Sequence, residues 1–152
     1  VVFCTSENTA PTSEFIAKVQ EILDPVPYAQ QGVGIAPIGH RVTVEGAVAK
    51  AVTVRVRITL NGGVTIDTVK PLVEKALNAY FAELNAGWKD TQVVTVGVFT
   101  DTGLIVRRAK IESLLLDVAG VVDVESLTLN GAAENVHLSK DELAALGGVT
   151  YE

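Results

Sequence analysis

Val52-Thr53-Val54-Arg55-Val56-Arg57-Ile58-Thr59-Leu60 is the stretch that decides the fold. Apolar residues hold every even position and polar residues every odd one, so extended backbone turns one row to a core and the other to water. Asn61-Gly62-Gly63 ends the run with turn chemistry. A helix follows, because Val69, Leu72, Val73, Ala76, Leu77, Tyr80, Phe81 and Leu84 recur at helical spacing toward Gly87. Its cap is expected between Thr65 and Thr68, since Pro71 lacks an N–H and fits best in a first turn. This helix is the expected cover of the sheet.

Farther downstream, Val93-Val94-Thr95-Val96-Gly97-Val98 reads either as strand or as an apolar arm. Ile111, Leu114, Leu115 and Val118 mark a third helix, from near Val106 to a Gly120 C-cap. Val121 to Leu129 alternates as strand before the turn signal Asn130-Gly131. Val136-His137-Leu138 and Val149-Thr150-Tyr151 supply two more extended pieces.

Upstream, Val42-Val44 reads as strand, and Val1 to Thr5 as another. Phe15, Ile16, Val19, Ile22 and Leu23 form one apolar stripe on a helix of about 11 residues, capped by Thr12 or Ser13 and stopped by Asp24-Pro25. A strand and one helix close no core alone, so residues 1–31 read as the end of a domain. Residues 32–40, rich in glycine yet carrying Val33, Ile35 and Ile38, read as a linker that packs. Residues 41–152 form the second domain. The fold expected is α+β, an antiparallel sheet covered by helices, in the rough order β-α-linker-β-β-α-α-β-β.

Of the 152 residues, 48% are hydrophobic, which suffices for a sizeable core. The formal net charge of −6 offers no basic field for a phosphate backbone, so neither nucleic acid nor an anionic membrane is an expected partner. No apolar run approaches the roughly 20 residues that span a bilayer. The single cysteine, Cys4, sits in the run Val1-Val2-Phe3-Cys4 and reads as a small buried hydrophobe. Methionine is absent even at position 1, and the chain opens on a strand-like run, so it reads as a fragment of a longer protein.

Chemistry is sparse. HExxH, CxxC, GxSxG and P-loop spacings are missing, and there are two histidines, His40 and His137. His40 has no Asp, Glu or Cys at ligand spacing, so a structural role is favoured; a small-ligand or metal-binding module centred on it is the alternative. His137 reads as a strand surface residue. Gly32-Val33-Gly34 has no strand leading in and no capped helix leading out, which favours a turn over a phosphate cradle. Asp67, Asp90, Asp101, Asp117 and Asp123 are spread without an acid and base pairing. Arg107-Arg108 with Lys110, like Arg55 and Arg57, reads as a solvated face or a partner for acidic neighbours. No catalytic residue, cofactor or metal is expected. The interface candidates are Val33, Ile35, Ile38, Trp88, Val94, Val96, Arg55 and Arg57, apolar or charged groups with no clear place in the core pattern.

Gly34-Ile35-Ala36-Pro37-Ile38-Gly39-His40-Arg41-Val42-Thr43-Val44 resembles the baseplate J-like family of contractile-tailed phages and related prophages. The likeness extends upstream to Ile22-Leu23-Asp24-Pro25. Downstream it takes in, in order, Val106-Arg107-Arg108-Ala109-Lys110-Ile111, Asp117 to Val124, Leu127-Thr128-Leu129-Asn130-Gly131 and Glu142 to Gly147. The resemblance implies a wedge component of the tail baseplate, joined to copies of itself and to other tail proteins in a ring around the hub. It places residues 1–31 in the family's middle domain and 41–152 in its C-terminal domain. It implies residence in the virion tail, with assembly in the bacterial host cytoplasm, and no catalytic residues.

Overall fold

Val52, Val54 and Val56 are essentially inaccessible to water while Thr53, Arg55 and Arg57 are exposed, so the alternating run does split its two faces. The computed structural model describes residues 1–88, 92–95, 98–101 and 103–152, with backbone alone for 92–95 and 98–101. In chain order the elements are β1 (Val2–Phe3), α1 (Ser13–Leu23), a 3-10 turn (Val26–Tyr28), β2 (Glu45–Gly46), β3 (Val48–Leu60), α2 (Ile66–Ala86), β4 (Gln92–Thr95), β5 (Val98–Asp101), β6 (Ile105–Val106), α3 (Arg108–Leu116), β7 (Val121–Leu129), β8 (Val136–His137) and β9 (Glu142–Tyr151). The class is α+β. Three short strands separate α2 from α3, where the sequence pattern placed the two helices in succession.

The chain divides into two compact units, Val1–Val48 and Ala49–Glu152. In the second, β3 is the central strand of the order β7-β3-β9. β7 runs antiparallel to it from Val54↔Leu129 to Leu60↔Val121, with register breaks at Arg57/Ile58 and Thr59/Leu60. On the other flank, Lys50 meets Glu142 at 3.5 Å and the Glu152 N–H reaches the Val56 carbonyl at 3.0 Å. These ties follow the same chain order on both strands, so β9 runs alongside β3 in the same direction and the sheet is mixed. α2 packs on β9 and α3 packs on β7. Val69, Val73, Leu77, Ile111 and Leu115 face this core fully buried, each contributing about 1.5 to 3 kcal/mol by leaving water.

Pro71 sits six positions into α2, behind the N-cap Thr65 and beyond the first turn. It has no N–H to give the carbonyl of residue 67, and burial of Val69 and Val73 on the opposite flank outweighs that loss. α3 starts at Arg108 and not at Val106, because Val106 is buried in β6 opposite Val136. Its first turn is satisfied from afar: Asn135 Oδ1 accepts the Arg108 N–H at 2.9 Å. Asn130 and Gly131 take positive φ at the expected turn, where Leu129 bridges Ala132.

In the first unit, Thr12 Oγ1 accepts the Phe15 N–H at 3.3 Å and starts α1. β1 and β2 pair in parallel, and Gly46 lies close to that helix, where a Cβ would stand 2.8 Å from Ile16 Cδ1 and 2.5 Å from Pro11 Cγ just ahead of it. Val42-Val44, expected as strand, lies outside one. Gln20 Nε2 donates to Val42 O at 2.9 Å and Gln20 Oε1 accepts the Val44 N–H at 2.9 Å, so a side-chain amide takes the bonds a strand neighbour would have taken. Among the described residues no helix is long and apolar enough to cross a membrane.

Candidate functional site

Residues 30–39 form a closed loop. The Gly39 N–H donates to Gln30 O at 2.8 Å across its neck, in the manner of a small Ω loop. The loop leans on the end of α1: the Ile35 N–H reaches Ile22 O at 3.1 Å and the Ala36 N–H reaches Leu23 O at 2.8 Å. Two helix-terminal carbonyls that would otherwise lack partners are thereby satisfied. Gly34 permits the approach, since a Cβ there would stand 2.5 Å from Leu23 O.

What the loop displays is apolar. Val33 is 62% exposed, Ile35 71% and Ile38 79%, while the small Ala36 turns in. Phe15, Ile22, Val26 and Tyr28 are also exposed on the same unit, and α1 has no buried residue at all. Val26 and Tyr28, with Pro25, Pro27 and Ala17, line an open groove of about 330 Å³ beside the helix. Part of the unit's apolar surface therefore lies in water, while Phe3, Ile16, Val19 and Leu23 are half-buried and Val44 is buried.

The remaining candidates are scattered. Arg55 lies on the wet face of β3, 3.4 Å from Glu152, and Arg57 lies beyond it on the same exposed row. Trp88 Nε1 donates to Lys140 O at 2.9 Å, which ties the end of α2 to the entrance of β9. Val94 lies in β4, opposite Phe99 of β5 in an antiparallel hairpin, and Val96 falls outside the described residues. The linker residues come together in one loop; Arg55, Arg57 and Trp88 sit on other elements.

For the alternative centred on His40, the imidazole is on an exposed residue whose backbone N–H donates to Pro37 O at 3.1 Å. Among the described residues no group of three His, Cys, Asp or Glu is placed to hold a metal ion. Glu142 titrates below its ordinary range, chiefly because the Ser139 N–H donates to it at 2.8 Å. Burial, then the charge of Glu74, pushes the Tyr151 phenol up. These two groups sit at opposite ends of β9 and do not converge on a cleft.

Sequence reasoning missed the polar residues that hold this arrangement. Asp24, read only as a helix stop, is 3% exposed and accepts two backbone N–H groups. Asn85, skipped in favour of its neighbour Leu84, is buried and bonds both backbone groups of Ala144. Nothing local marks either, because each acts on a partner 6 to 59 positions away.

A family model described as the Baseplate J-like protein C-terminal domain matches residues 52–152. Two proteins of Bacillus subtilis (strain 168) are similar along nearly the whole chain: the phage-like element PBSX protein XkdT and the uncharacterized protein YqbT. Each is 32% identical over 149 residues, 97% of this chain. The chain spans 38% of the length of each of these relatives.

Proposed function

The chain belongs to the baseplate J-like protein family, and from that premise we propose that it is a structural part of a phage-type tail baseplate, working by protein contact and not by turnover. In this reading it is a wedge component that packs against neighbouring tail proteins and copies of itself, in the virion tail after assembly in the host cytoplasm. One of the relatives is named for a phage-like element, which supports the same setting. Residues 1–31 are assigned to the end of the family's middle domain, 32–40 to a packed linker and 41–152 to the C-terminal domain.

The observation that carries the contact role is the uncovered apolar surface of the first unit. A loop that presents Val33, Ile35 and Ile38 outward, at 62%, 71% and 79% exposure, is costly to leave in water. Contiguous exposed apolar patches mark interaction sites. Arg55 and Arg57 on the sheet face, Trp88, Val94 of β4, and Val96 are assigned to further contacts.

Co-purification of the full-length protein with its co-expressed neighbouring tail proteins tests this. Ile35→Asp with Ile38→Asp is expected to abolish association while the melting of the second unit stays unchanged. Retained association with both charges in place would refute the contact role of the loop.

A further inference from the structure

Thr59-Leu60-Asn61-Gly62 and Thr128-Leu129-Asn130-Gly131 are the same four residues, one copy leaving β3 and the other leaving β7. Both asparagines and both glycines are exposed. An asparagine followed by glycine is open to an internal attack, because a residue without Cβ lets its backbone nitrogen swing toward the preceding side-chain amide. The two sites are matched in local sequence, so a difference in their reactivity has to come from the fold.

Asn130 is clamped. The Thr53 N–H at 2.9 Å and the Thr53 hydroxyl at 3.1 Å both donate to Asn130 Oδ1, and the Asn130 N–H donates to Thr53 O at 2.9 Å. The turn around it is closed as well, with the Leu129 N–H on Ala132 O at 2.8 Å and the Ala132 N–H on Leu129 O at 3.0 Å. Positive φ at both central residues gives it the tight geometry of a two-residue hairpin turn. Bringing the Gly131 nitrogen onto the Asn130 amide carbon means turning the backbone between them and releasing the side chain, against these bonds.

Asn61 is held by its backbone alone. Its N–H donates to Gly120 O at 3.0 Å and its carbonyl accepts the Val64 N–H at 3.0 Å, while among the described residues its side chain meets no hydrogen-bond partner. There is also room to move, since a Cβ at Gly62 or Gly63 would meet nothing within 4 Å.

We infer that Asn61 is a site of spontaneous deamidation, and that Asn130, in the same sequence, is protected by Thr53 and its closed turn. The Gly62 nitrogen gives its proton to hydroxide and bonds to Asn61 Cγ. The Cγ–Nδ2 bond breaks, and the departing nitrogen takes up a proton from water and leaves as ammonia. Water then opens the cyclic imide at either carbonyl. Opening at Cγ restores the main chain with an aspartate in place of the asparagine; opening at the α-carbonyl leaves an isoaspartyl linkage, with one more carbon in the main chain between β3 and α2. The net change consumes one water, releases one ammonia and adds one negative charge, with no oxidation or reduction.

The test warms the full-length protein in mildly alkaline buffer and follows, by mass spectrometry of tryptic peptides, the exchange of NH2 for OH at each asparagine. Asn61 is expected to convert about tenfold faster than Asn130, or more, because hydrogen bonds must be given up at Asn130 first. In concentrated urea, where the fold is lost, the two rates should meet. Gly62→Ala should slow conversion at Asn61 about tenfold, by crowding the attacking nitrogen, and leave the melting temperature where it was. Equal rates in the folded protein, conversion at neither site, or a lead of Asn61 that persists in urea would each overturn the inference. An unchanged rate at Asn61 in the Gly62→Ala protein would overturn the attack by the Gly62 nitrogen.

Discussion

Asn85→Ala removes a side chain that stands in for a strand. The Asn85 amide donates from Nδ2 to Ala144 O at 2.9 Å and accepts the Ala144 N–H on Oδ1 at 2.8 Å. Asn85 is 8% exposed and Ala144 4%, so water has little access to the groups left behind. A buried donor or acceptor stranded in this way costs about 1 to 3 kcal/mol. Two are stranded here, and the better helix propensity of alanine returns up to about 0.7 kcal/mol. The net expectation is about 1 to 5 kcal/mol. For a unit of this size that corresponds to a fall in Tm of about 5 °C or more. Urea unfolding followed by the fluorescence of Trp88 suits the measurement, since that lone tryptophan is tied to Lys140 at the start of the same strand. Asn85→Asp is a sharper comparison: it keeps the acceptor for the Ala144 N–H but sets a second acceptor against the Ala144 carbonyl. A loss under about 0.5 kcal/mol for Asn85→Ala would refute the assigned role, because the stranded groups would then have found other partners.

Two further outcomes follow from the same geometry. The Ser139 N–H, against the opposing effect of burial and with help from Lys50, holds the Glu142 carboxyl below its ordinary 4.5. A depressed folded value means that the charged form stabilises above the unfolded pKa, so the stability gap between wild type and Glu142→Gln should be full above about pH 4.5 and close as acid titrates the folded carboxyl; a gap independent of pH would contradict this. Gly34→Ala sets a methyl group against backbone, 2.5 Å from Leu23 O, and should loosen the amides of Ile35 and Ala36 in hydrogen exchange at about 1 to 3 kcal/mol. Gly62→Ala, with nothing within 4 Å of its Cβ position, should be near neutral, and equal effects at the two glycines would discredit the packing argument.

The elements that were legible are those specified by their own periodicity. Val52 to Leu60 declared a half-buried strand, the stripe from Phe15 to Leu23 fixed α1, and Asn130-Gly131 fixed its turn. Boundaries slipped where a distant group supplied the bond. Val42-Val44 reads as strand because its apolar alternation is real, yet Gln20 takes the place of the neighbouring strand. α3, expected from near Val106, begins two residues later at Arg108, where Asn135, 27 positions downstream, accepts its first N–H. The α2 cap fell at Thr65, inside the expected range, but Pro71 lies beyond the first turn, because local backbone preference lost to the burial of Val69 and Val73. Within the candidate site, Val33, Ile35 and Ile38 were legible as apolar residues out of place. Asp24 and Gln20 were not, since a carboxylate or amide in the last turn of a helix looks like any solvated residue until the loop folds back on it.

The bare flank of α1 makes the solidity of the first unit a function of its surroundings. With Phe15 and Ile22 about half in water, whatever covers that flank raises the unit's unfolding free energy by mass action. With that flank open to water this stretch is soft and easily reopened, and with the flank covered the same stretch is set hard.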